Sequence, residues 1–309
     1  MTARRYKQMA ILHAMEVDYA VDVVPAAADA LIASNVTFNP MEGEEVSRDL
    51  MLPYLGNQGI ILAGLYASLE FDIEVAGAGA AGDVPPYGSL LRVCGLAETV
   101  TAGVSVVYSI VEDGLESGSL YFIQDGVRHI LLGCRGTVSM NFTPKGIPQY
   151  RFRIIGLLGT ISDVAENPAV SALGLTTPLI VSKANTALTL HGWNAVAESV
   201  SFDLGNEVTP RFLIGDERIK VTDRNVSGNA VVEARLMEEI NWFEIATART
   251  RGALSLTHGT ADGNVVQIEA PNVEVGRPTQ GQTNNVVNYT LPLAMIPGAG
   301  RDELVITVR

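Results

Sequence analysis

Apolar and polar residues alternate most regularly at Ala67-Ser68-Leu69-Glu70-Phe71-Asp72-Ile73-Glu74-Val75. Leu69, Phe71, Ile73 and Val75 fall on one face, and Glu70, Asp72 and Glu74 on the other. A period of two predicts a half-buried strand with an acidic outer row. Upstream, Val36, Phe38 and Met41 begin an alternation that runs through Glu42-Gly43-Glu44-Glu45 towards Leu50 to Leu52. Ala26 to Ser34 reads as a helical turn or an ordered arm, inside a mixed opening segment. Further strands are predicted over Val104 to Ile110, Ser119 to Gln124, His129 to Asn141 and Gln149 to Leu158, with Asp125-Gly126 as a hairpin turn. Later strands are expected over Val200 to Leu204, Thr209 to Ile214, Arg218 to Asp223, Ala230 to Met237, Ala253 to His258, Val265 to Pro271, Val286 to Ala294 and Leu304 to Val308. Two helices interrupt them. One covers Pro85 to Leu96, with prolines at its start and glycine near its end. The other covers Glu238 to Arg249, with acids in its first turn and Ile240, Phe243 and Ala246 or Thr247 on one face.

Periodic pattern fades between residues 159 and 187, notably over Ser162 to Leu173 and Thr176-Thr177-Pro178. That gap predicts a first domain at 1–163, a linker at 164–187 and a second domain at 188–309. Each half has paired strands around an acidic turn, an alternating strand, a short helix and further strands. After each helix a glycine opens a strand (Gly118-Ser119-Leu120; Gly252-Ala253-Leu254). The order of elements suggests duplication, although few residues are identical.

Composition narrows the classes. Of 309 residues, 47% are hydrophobic and 18% charged, enough apolar material for a globular core. No apolar run approaches the ~20 residues of a bilayer span, and the basic opening residues lead into Glu16, Asp18 and Asp22 rather than a secretory apolar stretch. The expectation is a protein made in the cytoplasm, with no membrane partner. Cys94 and Cys134 read as two packed thiols, since disulfide scaffolds are shorter and richer in cysteine. A net charge of −13 disfavours gripping nucleic acid by its phosphates. It suits a surface past which DNA slides.

Candidate chemistry is sparse. His13, His129, His191 and His258 have no metal-ligand spacing, and no cofactor or metal is expected. Glu42-Gly43-Glu44-Glu45 lacks the alternating oxygen ligands of a calcium loop. Gly77-Ala78-Gly79-Ala80-Ala81-Gly82 fits the spacing of a dinucleotide loop. Pro85-Pro86 interrupts any continuation into a helix, and the preceding strand has an acidic face. No catalytic set stands out, so an enzyme is not expected. A carbohydrate-binding or adhesive β-sandwich using Trp193, Trp242 or tyrosines is the competing reading; aromatics at 6% are few for it.

The segments Pro85 to Leu96, Val104 to Tyr108, Ser119-Leu120-Tyr121, Asp125-Gly126, His129 to Gly136 and Pro148 to Gly156 together resemble the tail tube (major tail) proteins of long-tailed, siphovirus-type bacteriophages. The resemblance implies a mainly β protein of two tandem tail-tube β-sandwich domains, each with a short flanking helix. Sheets would join between subunits into a β-barrel ring, and rings would stack around a channel that delivers DNA. Trimeric rings are favoured by the duplicated order, with hexamers as the alternative. Tape measure and tail terminator proteins are the implied partners, and the virion tail the destination. A tail terminator or capsid decoration protein is the alternative within the same class. On this reading Glu70, Asp72 and Glu74 are candidate lumen-facing residues. Met41, Glu44, Glu45, Leu50 and Tyr54, in the 38–65 loop, are candidates for ring-to-ring contact.

Overall fold

The alternation around Leu69 becomes a strand of 15 residues, Ile60–Glu74, whose Leu69 and Phe71 are fully buried. It lies within a computed structural model that describes residues 3–165, 168 and 176–309. The first half contains β1 (Met9–Met15), β2 (Ala30–Leu31), β3 (Ser34–Ser47), β4 (Ile60–Glu74), α1 (Gly88–Val93), β5 (Leu96–Thr101), β6 (Ser105–Ile110), β7 (Gly118–Gln124), β8 (Val127–Phe142) and β9 (Gln149–Asp163). The second contains β10 (Thr186–Leu190), β11 (Trp193–Asn194), β12 (Ala197–Asp203), β13 (Asn206–Leu213), β14 (Asp216–Arg224), β15 (Ser227–Glu233), α2 (Trp242–Ala248), β16 (Arg251–His258), β17 (Val266–Val275), β18 (Thr279–Thr283), β19 (Val286–Met295) and β20 (Val305–Val308). The protein is mainly β.

The order of strand pairing recurs. In the first half it runs β1-β7-β8-β9-β4-β3, antiparallel throughout. In the second it runs β10-β16-β17-β19-β15-β12, also antiparallel. β18 prolongs β17 along β19, and β20 follows β19 back to the start of β17. Those bent pairs match β8 and β9, which are long enough to turn the corner in one piece. The β5–β6 hairpin has no counterpart; it receives β20, so the last strand lies between β6 and β17.

The two glycines that open strands after the helices have a shared cause. A Cβ on Gly118 would lie 2.3 Å from the His13 ring, and one on Gly252 would lie 2.4 Å from the His191 ring. In each half a histidine at or just after the first strand covers the strand behind it, and only glycine leaves room.

β8 also pairs with β12, through Phe142↔Val200 to Ser139↔Asp203. One sheet layer therefore runs β3-β4-β9-β8-β12-β15-β19-β18 across both halves. Beneath it lies a continuous core containing Phe71, Tyr150, Phe142, Phe202, Leu256 and Ile306. Phe142 and Phe202 meet edge to face at the junction, their centroids 6.4 Å apart.

Several expectations change. The opening segment contains a full strand, β1, whose nearly unbroken apolar run shows no period of two. The Pro85 to Leu96 helix is confined to Gly88–Val93, because Gly95 takes φ +84° and Leu96 begins β5. The second helix starts at Trp242 instead of Glu238: the Asn241 side chain accepts from Glu244 N at 3.1 Å and sets the first turn there. Trp242 is its buried anchor, and Phe243 is half-exposed. Of the expected linker, residues 166, 167 and 169–175 lie outside the described residues. Its far end is strand, from Thr186.

Candidate functional site

Two surfaces stand out: the outer face of the shared sheet and a pair of projecting β-arms. The sheet face is concave and polar, with a hollow of about 930 Å³ lined by Asp72, Ser139, Asn141, Arg151, Ser201 and Asn229 among others. Period-two alternation places these side chains outward while Phe71, Phe152, Met140 and Phe202 point into the core.

Glu70, Asp72 and Glu74 lie on this face, as alternation requires, but the face is not purely acidic. Register sets Glu70 opposite Arg153 and Asp72 opposite Arg151. Arg151 bridges Glu70 at 2.9 Å and Asp72 at 3.2 Å, and Arg153 lies 3.6 Å from Glu70. These carboxylates hold the Arg151 guanidinium more firmly protonated, the hydrogen bond it donates to Glu70 first. Asp72 is largely buried and also accepts from Asn35 Nδ2 at 2.8 Å. The acidic outer row is therefore joined on this face by arginines that its carboxylates already engage. The sequence signal for them was Gln149-Tyr150-Arg151-Phe152-Arg153, a second alternating strand whose pairing to Glu70 and Asp72 no periodicity could reveal.

The first arm is the far end of the β3–β4 hairpin with its irregular tip, residues 48–59. Met41, Glu44 and Glu45 sit on β3, and Leu50 and Tyr54 in the tip; all are exposed. Met51 and Leu55 are wholly exposed, and Ile60, Ile61 and Leu62 about half so. So much apolar surface on one projection marks an interaction site. The second arm, β13–β14, forms a two-stranded sheet of its own among the described residues and lies folded against the first half. There Tyr19 Oη accepts from Ile219 N at 2.6 Å, and Arg135 Nη1 donates to Ile219 O at 3.0 Å. The Tyr19 ring is covered by the Arg135 and Arg218 guanidinium groups, 5.4 and 4.9 Å from its centroid.

The histidines serve packing. His13 Nδ1 is 2.9 Å from Ser89 Oγ on α1, His191 Nε2 donates to Val273 O at 2.9 Å, and His258 Nδ1 is 2.8 Å from Thr186 Oγ1. Burial lowers the pKa of each, that of His13 to about 4. Burial pushes both thiols, Cys94 and Cys134, far up. Among the described residues no three His, Cys, Asp or Glu side chains converge as a metal site would require. The glycine-rich 77–82 loop packs against the second half: Gly77 N donates to Asn264 Oδ1, and Gly79 N to Gly263 O, each at 2.9 Å. A Cβ on Gly77 would lie 2.1 Å from Gly263 O, so those glycines serve a close backbone approach.

A layered β fold, a polar hollowed sheet face, terminal strands paired on one side among the described residues and a projecting apolar arm suit a structural protein that assembles with other copies. The model of a family described as phage tail tube protein matches residues 7–294, and the chain belongs to that family. No curated protein matches the chain.

Proposed function

We propose that three copies of this chain close a ring of the tail tube, with the polar concave face lining the channel and each copy contributing two tandem tube domains. The family makes the protein a structural component of the phage tail; the ring geometry is our reading. The single observation that carries it is the β8–β12 pairing. The shared layer ends in two strands, β3 and β18, each paired on one side only among the described residues. β18 is the counterpart of the part of β8 that pairs with β12, and β3 is the counterpart of β12. Pairing β18 of one copy with β3 of the next repeats the junction seen inside the chain. It leaves no open edge once the ring closes.

The channel would then present Glu70, Asp72, Glu74 and Asp203, with Arg151 and Arg153 held by their carboxylates. Such a wall repels phosphate and offers no unengaged guanidinium at these positions, so DNA transits without adhering. Tape measure and tail terminator proteins are the proposed partners within the tail. Before assembly the protein would reside in the host cytoplasm.

Electron microscopy of concentrated protein tests this reading. Hollow stacked rings with threefold averages are expected. Rings of six copies would overturn the trimer, and a reconstruction with Glu70 and Asp203 outside the channel would overturn the lumen assignment.

A further inference from the structure

The two arms occupy the same place in the two halves. One spans 43–65, the far part of the β3–β4 hairpin; the other spans 204–226 between β12 and β15. Each leaves the sheet at a glycine pressed against the returning backbone of its own arm. A Cβ on Gly43 would lie 2.8 Å from Ala63 O, and one on Gly205 would lie 2.1 Å from Asn225 O. Glu44 therefore corresponds to Asn206.

The second arm has its receptor within the chain, on the half that β12 adjoins. Asn206 Nδ2 donates to Cys94 O at 2.6 Å, at the end of α1, and to Gly136 O at 3.0 Å on β8. Ile219 is fully buried there, and Phe212 packs at Gly64. Apart from Phe212 packing at its base at Gly64, the first arm meets no such receptor among the described residues of its own chain; β3 is a terminal strand of the layer, and Met51, Leu55, Ile60, Ile61 and Leu62 of the arm are exposed.

The equivalent receptor exists on the second half. Gly118 pairs with Cys134 and Gly252 with Val273, which aligns β8 with β17 and puts Glu274 where Arg135 stands. The left-handed residue ending α2, Arg249 at φ +53°, falls where Gly95 ends α1. Arg249 and Arg251 lie 3.2 and 3.0 Å from Glu274, both substantially exposed. Two guanidinium groups against one carboxylate leave positive charge where the other arm meets carbonyls. The arm that lacks a receptor carries Glu44 and Glu45 at the matching place.

We infer that the 43–65 arm of one copy docks on the second half of the neighbouring copy in the same ring, with Glu44 against Arg249 and Arg251. The occupant is a second copy of this chain, and the contact lies within a ring instead of reaching to the next one. This inference rests on the ring reading above. Its charge pairing steers the approach, and the apolar arm residues supply burial.

The test is a cysteine pair, Glu44→Cys with Arg249→Cys, oxidised in assembled tubes. The native thiols are buried and do not compete. Within-ring docking links each copy to two ring neighbours, so the non-reducing ladder ends at three copies. A ladder running past one ring places the arm on the next ring and overturns the inference while leaving the tube intact. Tubes that form without any cross-link also overturn it. If the unmodified chain forms neither rings nor tubes, the ring reading falls, and this inference with it. A second measurement uses charge. The R249E/R251E variant is expected to need about tenfold more protein to assemble, and adding E44R/E45R to restore it. Unchanged assembly of R249E/R251E would refute the contact.

Discussion

His13 makes native stability depend on pH in a calculable way. It lies on β1, buried, with Nδ1 held by Ser89 and Nε2 without a partner, its ring over Gly118 and Arg92 nearby. Burial first, and then Arg92, lower its pKa from 6.5 to about 4. The unfolded chain thus takes up a proton near pH 6.5, while the native protein resists until about pH 4. Its stabilising effect is complete above 6.5 and is lost as pH falls towards 4. At about 1.4 kcal/mol per pH unit, the loss reaches roughly 3 kcal/mol. Other groups titrate over the same range, and burial lowers His129, His191 and His258 in the same direction. The comparison is therefore between the native chain and His13→Gln, each unfolded in urea at pH 7 and near pH 4. Gln keeps a polar partner for Ser89 and does not titrate. The native chain should lose about 3 kcal/mol more than the variant on acidification. Any packing cost of the substitution cancels, because only the change with pH is read. Equal losses in the two proteins would refute the assignment of an uncharged, buried His13.

Two packing predictions follow from the junction and the repeat. Phe202→Ala removes a fully buried ring at the β8–β12 seam and should lower unfolding free energy by about 3–5 kcal/mol in urea titrations; a loss below about 1 kcal/mol would mean the seam is loosely packed. Gly252→Ala forces a Cβ within 2.4 Å of the His191 ring and should cost about 1–3 kcal/mol. Combining it with His191→Ala should cost less than the sum of the single changes, and strict additivity would show that the two residues do not touch.

The helices, hairpins and strand faces were legible where local chemistry decides them. Leu69, Phe71 and Ile73 against Glu70, Asp72 and Glu74 can only be a half-buried strand, and Asp125-Gly126 can only suit a tight turn. The repeat was visible in the order of elements, including the two strand-opening glycines. Their reason was not, because it lies in His13 and His191, each far away in the chain. β1 escaped because its apolar run is bounded by polar residues without a clean period. The arginines facing Glu70 and Asp72 escaped because register is a relation between strands, and one strand's periodicity carries no information about its neighbour's offset.

The same distinction governs assembly. Sequence alone determined a mainly β, acidic chain with a recurring order of elements and an apolar, acid-rich loop, since composition and local period depend on near neighbours. Only the tertiary structure decided that both halves share one layer through β8 and β12, and that one arm finds its receptor inside the chain while the other is left exposed. Those outcomes depend on which strand edges meet, and edge pairing is set by packing across the core between residues far apart in sequence.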